Sequence, residues 1–311
     1  MPAIWPELEY AEWRETALAL QLWLQIAGKV RLALTPWLNH SWQVPFYVTA
    51  RGLSTSPIPC DGHAFDLEFD FHAHRLVGRH SSGAQAEFPL EPMPVADFYR
   101  KMMVLLDILN VRAKITHEPS ELVDAIPFEQ DRAPRPYDSR RVEYFFRALV
   151  NADQQFKLFR TAFLGKASPV HFFWGGFDLA VTRFSGRRAP LHPGGIPGLS
   201  DRVTREAYSH EVSSAGFWPG NDAYPHAAFY SYAYPEPNGF RDATMPDGAA
   251  YEKQLGEFIL PYDAVRRSTD PEKLMMDFLQ ASYAAAADLG KWDRAGLDCT
   301  IGIPAKPRPV P

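Results

Sequence analysis

Two segments of the chain concentrate side chains able to move protons or hold a metal. Val170-His171-Phe172-Phe173-Trp174-Gly175-Gly176-Phe177-Asp178 sets a histidine and an aspartate among aromatics. Tyr208-Ser209-His210-Glu211-Val212-Ser213-Ser214-Ala215-Gly216-Phe217-Trp218 does the same with a tyrosine, a histidine and a glutamate. An imidazole beside a carboxylate has its tautomer fixed and its pKa tuned near neutrality, which is the equipment of acid–base catalysis. His171, His210, Glu211 and Asp178 are therefore the candidate catalytic groups. The same set suits a metal. Neutral imidazole and carboxylate bind zinc or ferrous iron, with His171 and His210 as ligands and His40 as a further one.

No ligand spacing here is diagnostic, and a site without any metal is an equal reading. A plainer alternative is a histidine hydrogen-bonded inside a packed aromatic core, since buried polar groups are usually paired for structural reasons. Trp174 and Trp218 would wall a pocket, with Tyr208 and Arg183 as further substrate contacts, guanidinium being matched to carboxylate and phosphate. At strand period Tyr208, His210, Val212 and Ser214 share one face, and Ser209 and Glu211 the other. His210 and Glu211 then face one cavity only if a bulge intervenes. The alternation of Tyr230, Tyr232 and Tyr234 fits a pocket wall or cross-strand packing equally well. Known fingerprints are missing: there is no GxGxxG and no GxxxxGK[ST], and His210-Glu211 lacks the second histidine of a zincin helix.

The elements that must position these groups read as helix, strands, helix, given twice. Helices are expected from about Glu9 to Ala27 with Gly28 as the stop, from Val95 to Leu109, from Ser139 to Leu164 with Gly165 as the stop, and from Pro271 to about Leu289. Strands are expected at Val30 to Leu34, Trp42 to Thr49, Phe65 to Phe71, Arg75 to Arg79, Glu87 to Leu90 and Val111 to Thr116. The second set is Phe177 to Phe184, Ala207 to Phe217, Ala228 to Tyr234 and Glu257 to Leu260. Asp66, Glu68 and Asp70 read as the wet face of their strand.

The recurring order of Gly-Lys, Pro, His, Trp and Val-Thr points to an internal duplication. The halves are residues 1–116 and 139–292, joined by a connector rich in proline and acids at 117–138 and followed by a C-terminal tail at 293–311, of which Pro304 to Pro311 is expected to be extended or disordered. The expected fold is α+β, two similar halves, each a mostly antiparallel sheet flanked by helices.

Composition bounds the partners. The 311 residues carry a net charge of −5 and no basic stripe, which argues against nucleic acid. The absence of a basic amphipathic helix, of a signal-like start and of an unbroken apolar run of ~20 residues argues against a membrane. Two cysteines, Cys60 and Cys299, lie in no CxxC pattern and fit a reducing compartment, so the cytoplasm is the expected location. Oligomeric state is not legible.

The stretch from Gly165 to Arg187, the stretch from Tyr208 to Gly220 and the start Trp5-Pro6-Glu7-Leu8 together resemble a bacterial family catalogued as a domain of unknown function. The resemblance runs to about Trp292. It implies no activity and supplies no catalytic residues. The expected function is a small-molecule enzyme with a histidine-centred site in the second half. The alternative is a non-catalytic binder with an aromatic pocket.

Overall fold

The computed structural model describes residues 5–122 and 124–308. Helix α1 (Tyr10–Leu34) leads into a 3-10 turn and the strands β1 (Tyr47–Val48), β2 (Gly52–Ser54), β3 (Ile58–Cys60), β4 (His63–Asp70), β5 (Arg75–His80) and β6 (Gln85–Pro89), closed by α2 (Val95–Ile108). After a long connector, α3 (Ser139–Arg160) leads into β7 (His171–Phe173), β8 (Asp178–Arg188), α4 (Asp201–Ala207), β9 (His210–Trp218), β10 (Ala228–Tyr234), β11 (Ala250–Glu252) and β12 (Glu257–Pro261). Helices α5 (Tyr262–Arg267), α6 (Pro271–Leu289) and α7 (Arg294–Leu297) follow. The fold is mixed α and β, with two antiparallel sheets of six strands each, as the alternating patterns and long amphipathic helices predict.

The first sheet runs β1-β2-β4-β5-β6, with β3 also on β4; the second runs β7-β8-β9-β10-β12-β11. Gly52–Ser54 and Ile58–Cys60 both pair along β4, so β2 and β3 act as one interrupted strand. In the second half β8 takes that place, with its own irregularity between Phe184 and Arg188. Each half thus opens with a long helix, a short first strand and an irregular second strand and continues into antiparallel strands and a later helix, with α4 inserted in the second half and β11 set outside β12 at the sheet edge. That shared order is consistent with duplication. Single letters align less well. Val48 lies on the first strand of its half and Val181 on the second, and His40 sits in a turn where His171 sits in a strand.

Both halves feed one continuous apolar cluster reaching from Trp5 to Ala287. α1 is long and apolar enough to cross a bilayer by length and composition, and most of it is buried in this core.

Several boundaries differ from expectation. Val30 to Leu34 is helical and Gly28 lies inside α1, because the helix presses on Trp174 there: a Cβ on Gly28 would come within 2.3 Å of the indole. α3 ends at Arg160, and Gly165 is not left-handed. Trp42 to Thr49 yields only the two-residue β1, and Val111 to Thr116 is not a strand. Glu68 and Asp70 are buried, since Arg79 and Arg51 close over them. The connector is partly core, with Phe128 and Asp131 buried. The tail folds back onto the end of α3 through Leu164 N–H to Leu297 O and Gly302 N–H to Thr161 Oγ1.

Candidate functional site

The second sheet has one core face and one face that lines a cavity. Phe172, Leu179, Val181, Phe217, Phe229 and Leu260 point into the core. Strand alternation sends His171, Phe173, Asp178, Ala180, Thr182, Ser214, Tyr230 and Tyr232 the other way. That second face is covered by the turn at His40–Gln43, by the segment from Ile196 through α4, and by Ser120 and Glu121 of the connector. The space between is a half-open cavity of about 410 Å³, of the size that holds a small organic molecule.

Glycines let its polar groups meet. Gly216 leaves room for the Tyr230 ring, which would stand 2.3 Å from a Cβ there; the Tyr230 hydroxyl thereby crosses β9 and donates to Asp178 Oδ2. Glu121 reaches over Gly175 and Gly176. A Cβ on Gly175 would fall 2.0 Å from Glu121 Oε1, and one on Gly176 would fall 2.7 Å from Asp178 Oδ1 and 3.7 Å from Glu121 Oε2. The two carboxyl groups are therefore close neighbours. Glu121 is held in place by its N–H to Gly198 O at 3.0 Å.

Burial dominates the electrostatics. It pushes the Asp178 carboxyl up to about 6, against the lowering effect of the Tyr230 hydrogen bond. It pushes Glu121 up to about 7, with the charge of Asp178 adding to the effect. Glu257 is pushed up to about 8 by the same two causes. Glu257 lies behind Tyr208 and Tyr232, whose hydroxyls share a hydrogen bond of 2.9 Å and separate the cavity from an outer hollow. His171 is 1% exposed, and burial lowers it to about 3, so its imidazole is neutral. Its Nδ1 has no hydrogen-bond partner.

These residues fall within a stretch matched, from residue 5 to residue 299, by a single protein family of unknown function, DUF5996. The chain belongs to the DUF5996 family. No curated protein and no solved structure matches it.

In this DUF5996 protein the residues expected to act together are divided. His171, Asp178, Trp174 and Tyr208 line the cavity. His210 does not meet His171. His171 pairs with Ala180 and His210 with Arg188, eight residues apart on β8, which is on the order of 20 Å along a strand. His210 packs instead on His40, ring centroids 6.1 Å apart, at the far rim. There His40, left-handed at φ 61°, donates from Nδ1 to Ala207 O and accepts at Nε2 from Lys166 Nζ at 2.6 Å. His171, His210 and His40 thus do not form one metal site, and among the described residues no group of three or more His, Cys, Asp or Glu has a metal-holding arrangement.

Glu211 faces away, accepting from Ser185 Oγ and Arg187. Arg183 lies on the core face, stacked between Phe159 and Tyr283, with Nη2 donating to Phe159 O. Trp218 shares the cavity face of β9 but sits at its end, stacked on Tyr224 outside the cavity. Sequence reading missed Glu121, because nothing in the acid-rich connector sets one carboxylate apart. It also missed Glu257, although its place at the head of an expected strand opposite the tyrosine alternation was a usable signal.

Proposed function

We propose that this protein is a small-molecule enzyme whose active site is the cavity on the second sheet and whose acid–base groups are Asp178 and Glu121. One observation carries the reading: two carboxyl groups are neighbours at an aromatic cavity, with raised pKa values that straddle the range where proton transfer is effective. Asp178, the lower of the two and held by Tyr230, is the base. Glu121, the higher, is the acid. Neutral His171 hydrogen-bonds substrate rather than cycling a proton. The centre is thus carboxyl-based, with histidine in support.

The test is incubation of the protein with pooled small metabolites and detection of consumed and formed masses. The expected result is turnover by the wild type that drops at least a hundredfold, on the scale of general acid–base catalysis, in Asp178→Asn and in Glu121→Gln while both remain folded. Turnover that survives both substitutions would overturn the reading. The second reading, a non-catalytic binder, rests on the apolar walls, and is the outcome if ligands are retained unchanged.

A further inference from the structure

The cavity contains acids and aromatic walls, and among the described residues no cation pairs with its acids. Four of the chain's buried carboxylates are paired: Glu68 with Arg79, Asp70 with Arg51, Asp131 with Arg135 and Asp153 with Lys157, while Glu257 in the outer hollow is raised by burial without a cation among its causes. Asp178 has the Tyr230 hydroxyl and a backbone N–H, and among the described residues no basic side chain pairs with it or with Glu121. Lys29 lies over the Trp174 ring, 5.7 Å from its centroid, and donates to Thr116 Oγ1 and Ser120 Oγ at 2.9 and 3.0 Å; it pairs with neither acid. Lys166 is committed to His40 at the far rim. A buried carboxylate without a counter-charge is costly, so the pair is arranged for a charge that arrives from outside.

A second observation points to the same ligand. His171, almost fully buried, lines the cavity one strand from Asp178 and keeps an unpartnered ring nitrogen. A primary ammonium has three N–H donors. At slightly alkaline pH, where both carboxyls are ionised, they and a neutral imidazole can accept all three. Phe173, Trp174 and Tyr230 also line the cavity, and such aromatic walls suit a cation carried on an apolar body.

We infer that the ligand of this site is an organic cation, a primary amine on an aromatic or alkyl body, with its ammonium group seated between Asp178 and Glu121 beside His171. The inference rests on the reading that the cavity is the ligand site. It commits that reading to positively charged molecules.

The test uses three probes of one shape: 2-phenylethylamine, 2-phenylethanol and phenylacetate, titrated into the full chain by calorimetry at slightly alkaline pH. The amine should bind at least tenfold more tightly than the alcohol or the acid, and Asp178→Asn with Glu121→Gln should remove that preference. If the amine fails to bind, or the alcohol or acid binds as tightly, the cation inference is overturned. Ala180→Phe, which fills the cavity floor, tests the cavity reading separately. Probe binding that persists in Ala180→Phe overturns the cavity as the site, whereas loss of all binding there, with no preference for the amine beforehand, overturns only the choice of cation.

Discussion

The Tyr230 hydroxyl donates to Asp178 across the gap left by Gly216, so a phenol on one strand and a carboxyl two strands away act as one unit. The register explains why. Tyr230 stands opposite Gly216, and Gly216 opposite Ala180, which shares its face with Asp178.

Tyr230→Phe removes the one side-chain donor that stabilises ionised Asp178. The Asp178 carboxyl should then titrate above its present value of about 6, and at alkaline pH the variant should be about 1.5–3 kcal/mol less stable, the range for a hydrogen bond to a charged group. Gly216→Ala should copy the effect by displacing the ring. Carbon-detected carboxyl titration reads the pKa; an unmoved Asp178 in both variants would break the link.

The pH dependence of stability follows from sign. Asp178, Glu121 and Glu257 have folded pKa values raised from 3.8, 4.5 and 4.5 to about 6, about 7 and about 8. Their contribution is fully present below the unfolded values and is lost as pH rises through the folded ones. His171 runs the other way, lowered from 6.5 to about 3, so its contribution is present above 6.5 and lost as pH falls toward about 3. Of these four groups, only the carboxyls slope above 6.5. The thermal midpoint should therefore fall from pH 6.5 upward, and Glu121→Gln should flatten that fall. An identical slope in the variant counts against the buried acid.

Gly28→Ala would be read from sequence as a stabilising change inside a helix. Here the added methyl meets the Trp174 indole, whose Nε1 donates to Val44 O at 3.1 Å. Overpacking of this kind costs about 1–3 kcal/mol, and the displaced indole should also alter ligand binding at the cavity wall. Urea denaturation measures the first effect and probe titration the second. A stabilised protein would mean that the wall yields.

The two histidines should separate cleanly. His171→Gln should weaken binding of the amine probe several-fold, because His171 lines the cavity. His210→Gln should leave it within a factor of two, because His210 packs on His40 at the strand end. Equal losses would mean that the far rim closes on the ligand.

By itself the sequence determined the class of fold, the closing helix from Pro271 to Leu289 and the strand from Ala228 to Tyr234. These are local matters of periodicity and capping, and Asp270, whose side chain accepts from Lys273 N–H, is an example read directly from residue types. Two of the cavity groups, His171 and Asp178, were also legible, as polar residues lodged among aromatics. Only the tertiary structure decided their company. The register of β8 carries His210 away from His171, and the core takes Arg183 and its flat guanidinium between aromatic rings. The connector folds over Gly175 and Gly176 to bring Glu121 to Asp178, a meeting of residues 57 positions apart that depends on the absence of two side chains. Periodicity reports which face a residue takes, but which segment comes to cover that face is set by packing between distant parts of the chain.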